Sequence, residues 1–128
     1  MTLPEQFRIR VITLSDRAHR GSYSDLSGPA VVKYVKYAIA AAGWKYELEH
    51  IVLPDDADAL RAALTESPAA DLIITTGGTG IGPRDITPDV VKPLLTKEIP
   101  GIMEQIRVKY GTRNPKALLS RGIAGAIG

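Results

Sequence analysis

The sequence predicts an α/β fold, a three-layer arrangement in which a parallel-type sheet carries helices on both faces. Two observations predict it. From Arg8 to Thr76, strand-like and helix-like stretches alternate as strand, helix, strand, helix, strand, the pattern of parallel strands joined by right-handed crossovers. The second is the core palette: 45% of the 128 residues are hydrophobic but only 5% are aromatic. Val, Ile, Leu and Ala must therefore fill the interior, which suits strands covered on both sides. A chain of this length buries a core as one domain, 1–128, and no repeat, low-complexity run or linker divides it.

The first strand is Arg8–Leu14, β-branched and mostly apolar, hence buried. It ends in the turn-prone pair Ser15-Asp16. The polar loop Arg17–Ser27 has eleven residues, longer than most strand-to-helix connections and so a candidate for function. Pro29 suits the first turn of a helix. Val31, Val35, Ala38, Ile39 and Ala42 recur at helical spacing, and Gly43 supplies a stop. Trp44–Leu53 is a second strand, polar enough to lie near an edge, and Pro54-Asp55-Asp56 breaks it. Asp56 is placed to cap a second helix that buries Leu60, Ala63 and Leu64 and ends at Ser67-Pro68. Asp71–Thr76 is the third strand and runs into Gly77-Gly78-Thr79-Gly80. A helix is expected over Asp89–Thr96, kinked by Pro93 unless that proline falls in the first turn. Pro100-Gly101 opens a last helix with Ile102, Ile106 and Tyr110 inward. The rest, to Gly128, is small and apolar and shows no assignable period.

Composition narrows the chemistry. Without cysteine, disulfides, thiolate zinc sites and a thiolate nucleophile are excluded. His19 and His50 stand alone, and a lone histidine is more often a surface or packing residue than a ligand. Carboxylates, hydroxyls, backbone amides, Lys/Arg or an oxygen-held metal must therefore do the work. The net charge is +2, with basic residues scattered rather than clustered, so no nucleic-acid-gripping tail is present. No apolar run approaches the ~20 residues of a membrane span. The opening Met1–Phe7 contains Pro4 and Glu5 and lacks a signal-peptide core, so no membrane partner and a cytoplasmic location are expected.

In open parallel sheets ligands bind outside the carboxyl ends of the strands. Those ends are distinctive here: Ser15-Asp16, Asp55-Asp56 and Thr76-Gly77. In Thr75-Thr-Gly-Gly-Thr-Gly80 the glycines let amides approach a phosphate, and Thr76 and Thr79 add hydroxyls. The run lacks the Gly-Lys-Ser/Thr ending of ATPase phosphate loops and the dinucleotide-binding spacing; the competing account is a tight strand-to-helix turn. Arg84 and Asp85 either pair with each other at the surface or offer a phosphate ligand and a metal donor. Thr87-Pro88 serves as a helix cap followed by a first-turn proline. Asp55 and Asp56 are either a catalytic pair or a solvated residue beside a cap.

Taken in order, Ser15-Asp16-Arg17, Asp25-Leu-Ser-Gly-Pro29, Pro54-Asp55-Asp56, Thr75-Thr-Gly-Gly-Thr-Gly80, Pro83-Arg-Asp-Ile-Thr-Pro-Asp89, Glu98-Ile-Pro-Gly101 and Leu119-Ser-Arg121 resemble the molybdopterin adenylyltransferases and the related G domain of gephyrin. The likeness runs from about Arg8 to Gly125, and the glycine loop followed by Pro-Arg-Asp-Ile-Thr-Pro is highly specific as a set. It implies the molybdenum cofactor biosynthesis fold and a nucleotidyltransferase moving the adenylyl group of ATP to the terminal phosphate of molybdopterin. It implies Asp55 and Asp85 as catalytic residues and Mg²⁺ ligands. Thr76, Gly77, Gly78, Thr79, Gly80, Ser15 and Asp16 are implied at the nucleotide, and Ser120 and Arg121 at the pterin. A homotrimer, and a downstream molybdenum-insertion protein as partner, are implied with them. In the family another strand, a loop of the Asn-Leu-Pro-Gly type and a closing helix follow, so a domain lacking that C-terminal strand and helix is expected. The alternative of a different class is a non-catalytic pterin- or nucleotide-binding module.

Overall fold

In the computed structural model, which describes residues 2–128, β1 (Phe7–Leu14) runs between β2 (Tyr46–Leu53) and β3 (Leu72–Thr76). All three strands are parallel, with Ile9 beside both Leu48 and Leu72, and Thr13 beside both Val52 and Thr76. The central strand β1 is covered on both faces: Ile9, Val11, Ile12 and Leu14 are at most 3% exposed. The more polar β2 takes an edge of this sheet, as its composition implies.

Successive side chains of β1 point to opposite faces. Ile12 and Leu14 pack on Leu60, Ala63 and Leu64 of α3 (Ala57–Thr65) and Val90 of α4 (Thr87–Val91). The expected inner face of α3 is thus the observed one, and Asp56 caps the helix by accepting from the Ala59 amide at 2.8 Å. Such a cap contributes about 1 kcal/mol. Arg10 lies on the same side, buried, and is satisfied by the Glu49 carboxylate and by the Ala63 carbonyl at 2.9 Å, as a buried cation requires. The opposite face meets α2 (Ser27–Ala41), with Pro29 in its first turn. Val31, Val32, Val35 and Ile39 are half-buried there, while Ala38 and Ala42, expected inward, are exposed.

The start of the Arg17–Ser27 loop is a helical turn, α1 (Asp16–His19), capped by Ser15. Trp44 precedes β2 rather than opening it and stacks on Phe7 at 4.8 Å between centroids. The helix expected over Asp89–Thr96 instead begins at Thr87. It tightens into a 3-10 turn at Lys92–Leu94, where Pro93 has no N–H to continue an α-helical ladder.

In α5 (Pro100–Gly111) the expectation fails by one residue of phase. Ile102, Ile106 and Tyr110 are exposed, and Met103, Arg107 and Gly111 turn inward. The helix packs on a 3-10 turn, Pro115–Leu119, and on the segment after it. Gly111 offers room to Leu118, and Arg107 Nη1 reaches the Gly122 carbonyl at 2.8 Å. Hydrogen bonding to the following turn and small apolar contacts there, rather than the longer apolar stripe, set this face. The C-terminal stretch contributes β5 (Gly125–Ala126), antiparallel to β4 (Lys97–Glu98). Among the described residues no helix is long and apolar enough to cross a membrane.

Candidate active site

The parallel register sets the carboxyl ends of the three strands side by side, with Leu14 paired to Leu53 and Thr13 to Thr76. The residues that follow therefore emerge together. The Asp16 amide donates to Asp55 Oδ2 at 3.1 Å, and the Asp55 amide donates to Asp16 Oδ1 at 2.9 Å. Each carboxylate thus fixes the other's backbone. Arg84 closes the group with a two-pronged contact to Asp16, 2.7 and 3.0 Å, and a bond to the Asp55 carbonyl at 3.0 Å. Its sequence neighbour Asp85 is not its partner, because the loop turns the two side chains apart. The Arg84 hydrogen bond, followed by the Asp55 amide, holds the Asp16 carboxyl below the ordinary aspartate range, and Asp16 raises Arg84 in turn.

Gly77 and Gly78 have φ of +95° and +67°, a region that L side chains rarely adopt. A Cβ on Gly77 would strike the Leu14 carbonyl, and one on Gly78 would strike Thr87 Oγ1 and stand 3.4 Å from Asp55 Oδ1. The Asp55 carboxylate therefore faces the glycine loop across little more than a van der Waals gap. Thr87, 2% exposed, locks the loop from below: its hydroxyl donates to the Gly77 carbonyl at 2.9 Å and its amide to the Gly78 carbonyl at 3.0 Å. Thr87 is thus not the helix cap that its position before Pro88 implies, since its hydroxyl is spent on the loop; the first-turn proline stands.

Asp85 folds back under the same loop. Its Oδ2 accepts from the Gly82 amide at 2.9 Å and lies 2.7 Å from where a Gly80 Cβ would stand. Among the described residues Asp55 and Asp85 form no salt bridge, and Oδ1 of each accepts no hydrogen bond. Groups of three or more His, Cys, Asp or Glu able to cage a metal are absent among them. Two carboxylates with one free oxygen each suit a hard cation that completes its shell with phosphate and water, as Mg²⁺ does.

Thr76 donates to Ser27 Oγ at 3.0 Å beside the loop, and Ser120 donates to Thr79 Oγ1 at 3.3 Å beyond it. The Arg121 amide donates to the Thr79 carbonyl at 2.7 Å, and its guanidinium reaches the Gly80 and Asp85 carbonyls at 2.8 and 2.6 Å. Ser15, Asp16, Asp55, Thr76, Gly77–Gly80, Asp85, Ser120 and Arg121 thus form one connected edge. Sequence reasoning read Thr87 only as a cap, gave Asp89 no role in the site, and missed a group on the α2 side. In that group Thr13 donates to Asp25 Oδ2 at 2.8 Å, His50 Nε2 lies 2.9 Å from Thr13 Oγ1, and Asp25 Oδ1 accepts from the Gly28 amide at 2.9 Å. Gly28 is required there because a Cβ would collide with all three side chains. The Asp25-Leu-Ser-Gly-Pro29 segment was the available signal; His50, isolated in sequence, carried none.

Comparison with known proteins agrees with this architecture. The family model described as "Probable molybdopterin binding domain" matches residues 10–127. The molybdopterin adenylyltransferase of Helicobacter pylori strain J99 is 36% identical over 125 residues, 94% of this chain and 69% of that protein. The molybdopterin adenylyltransferase of Pyrococcus furiosus is 37% identical over 130 residues, 97% of this chain and 71% of that protein. The crystal structure of the tungsten cofactor synthesizing protein MoaB from Pyrococcus furiosus superposes with a TM-score of 0.81 at 34% identity, covering 98% of this chain and 76% of that one. With the family match spanning nearly all of the sheet, its loops and α5, the chain belongs to the molybdopterin-binding family of molybdenum cofactor biosynthesis proteins.

Proposed function

We propose that this protein transfers the adenylyl group of ATP to the terminal phosphate of molybdopterin. One observation carries the reading: two carboxylates that form no salt bridge among the described residues, Asp55 and Asp85, border a positive-φ glycine loop at the carboxyl edge of a parallel sheet. The likeness to proteins named for this activity supports it.

An oxygen of the molybdopterin phosphate attacks the α-phosphorus of ATP, the bond to the β-phosphate breaks, and pyrophosphate leaves. The nucleophile is already an anion near neutral pH, so it needs alignment and relief of charge repulsion more than a general base. Glycine amides from Gly77 to Gly80 hold the nucleotide phosphates, with Thr76 and Thr79 adding hydroxyls and Ser15 and Asp16 flanking them. Ser120 and Arg121 border the pterin side. Asp55 and Asp85 would hold Mg²⁺, which supplies charge neutralisation to the phosphates when bound. The reciprocal Asp16–Asp55 contact keeps Asp55 Oδ1 turned toward the loop, so its orientation is set before substrate arrives.

The test is incubation with molybdopterin, ATP and Mg²⁺, reading pyrophosphate and adenylylated pterin. Binding of the pterin without product would replace the enzyme by a binding module. The same reading includes a homotrimer, visible by sedimentation; a monomer with full activity at micromolar concentration removes the need for one.

A further inference from the structure

The guanidinium of Arg121 is deployed in a way that a substrate ligand is not. Four of its five N–H groups are spent within the protein: Nε on the Gly80 carbonyl, Nη2 on the Asp85 carbonyl and Asp89 Oδ2, and Nη1 on Asp89 Oδ1. Gly80 and Asp85 mark the two ends of the segment that turns back beneath the glycine loop. Within it, the Gly82 amide–Asp85 carboxylate bond and the Asp85 amide–Gly82 carbonyl bond close the turn, and Arg84 ties its outer side to Asp16 and the Asp55 carbonyl. Arg121 thus bridges both ends of a turn whose shape decides where the Asp85 carboxylate stands. It is itself held. Arg107 on α5 donates to the carbonyls of Ser120 and Gly122, on either side of it, at 3.4 and 2.8 Å. Its own amide is tied to Thr79 at 2.7 Å.

We infer that Arg121 is a positioning residue for adenylyl transfer: it spans the Gly80–Asp85 turn, sets the Asp85 carboxylate against the loop, and is not itself a ligand of the pterin. Asp89 orients the guanidinium from outside through the paired contact at 3.2 and 3.1 Å. Arginine is needed because its planar fork meets two carbonyls and a carboxylate at once, where a lysine ammonium reaches as a point charge. A brace of this kind acts mainly on the transition state, since a misplaced Asp85 leaves much of the ground-state contact with pterin intact.

The activity arm rests on the proposed adenylyl transfer; the exchange arm does not. Arg121→Gln and Arg121→Lys are compared with the parent in three measurements. These are the single-turnover rate of adenylylated molybdopterin formation, the calorimetric affinity for molybdopterin, and backbone hydrogen exchange by mass spectrometry. For Arg121→Gln the expected result is a rate loss of about tenfold to a hundredfold with pterin affinity within about twofold. Exchange should quicken in the peptide covering Thr79–Asp85 and not in α3. Arg121→Lys should recover part of the rate. A tenfold or greater loss of pterin affinity with unchanged exchange over Thr79–Asp85 makes Arg121 a direct ligand and overturns the inference. If Arg121→Gln does not fold, Asp89→Asn, which alters a surface partner and keeps both carbonyl contacts, carries the test. Faster exchange confined to Thr79–Asp85 supports the brace, and an unchanged profile overturns it. If the parent makes no product, adenylyl transfer falls, and the exchange and affinity arms still decide the role of Arg121.

Discussion

Replacing Gly78 with alanine tests the glycine loop, and the structure sets the size of the effect. At φ +67° an L residue costs about 1–2 kcal/mol. The new Cβ also drives into Thr87 Oγ1, and Thr87 is 2% exposed. Pushing that hydroxyl off the Gly77 carbonyl leaves buried groups unpaired, at about 1–3 kcal/mol. Together these come to about 2–5 kcal/mol, against a typical stability of about 5–15 kcal/mol. The variant should therefore fold at 25 °C, with a Tm lowered by about 7–20 °C. Its ATP affinity should drop because the displaced amides no longer converge. Gly101→Ala is the control: it meets nothing within 4 Å and lies in the first turn of α5 at negative φ, so Tm should not fall and ATP affinity should stay at the parent value. Thermal unfolding with calorimetric ATP titration reads both quantities. A Gly78→Ala protein with the parent Tm refutes the strain argument. One with lowered Tm and unchanged ATP affinity reduces the loop to a structural turn.

Two further expectations come from the same edge. Asp55→Asn and Asp85→Asn should fold and bind molybdopterin yet lose most single-turnover adenylyl transfer, whereas Asp56→Asn should be mild because Asn caps α3 about as well as Asp; parent rates in the first two would remove both carboxylates from the chemistry. The Arg121 hydrogen bond holds the Asp89 carboxyl below the ordinary range, so its contribution to stability is present above the unfolded-state aspartate pKa and fades as pH falls through the lower folded-state value. Acid unfolding followed by circular dichroism should show a shallower acid limb in Asp89→Asn, and an unchanged limb would show that the pair contributes nothing.

What could be foreseen from sequence followed the range of the interactions concerned. β1 and α3 are legible because their order is local: an unbroken β-branched run, or a cap three residues before the amide it serves, leaves its mark within a single window. Convergence of Ser15-Asp16, Asp55 and Gly77 was also foreseeable, since parallel strands deliver their C-terminal loops to one edge. Partner identity was not. Arg84 sits beside Asp85 in sequence but binds Asp16, 68 positions away, and nothing local encodes that choice. Thr87 resembles a cap and serves as a clamp for the same reason. The phase of α5 is not legible because its apolar stripe does not mark the inner face. The stripe Ile102, Ile106 and Tyr110 faces outward, while Arg107 turns inward to carbonyls supplied by a turn later in the chain.

The charge pattern of the edge leads to a final prediction. Each arginine that reaches it is already neutralised, Arg84 by Asp16 and Arg121 by Asp89. Asp55 and Asp85 have no such partner among the described residues. The protein thus meets a triphosphate with two carboxylates that form no ion pair among the described residues, and like charges within several ångströms repel, moderated here by solvent. A divalent cation shared between carboxylates and phosphates reverses the sign of that interaction. ATP should accordingly bind weakly in a chelator and tightly with Mg²⁺. The carboxylate variants give the sharper consequence. Without a divalent cation, Asp55→Asn and Asp85→Asn should bind ATP more tightly than the parent, because the repulsion is gone, by about threefold to tenfold for a pair screened by water. With Mg²⁺ the order should invert, the parent binding more tightly and alone turning over rapidly. Calorimetric titration of ATP into parent and variants, in chelator and in Mg²⁺, decides the matter. If the variants do not cross the parent between the two conditions, the carboxylates do not face the phosphates, and the cation-bridged arrangement is wrong even if the protein proves active.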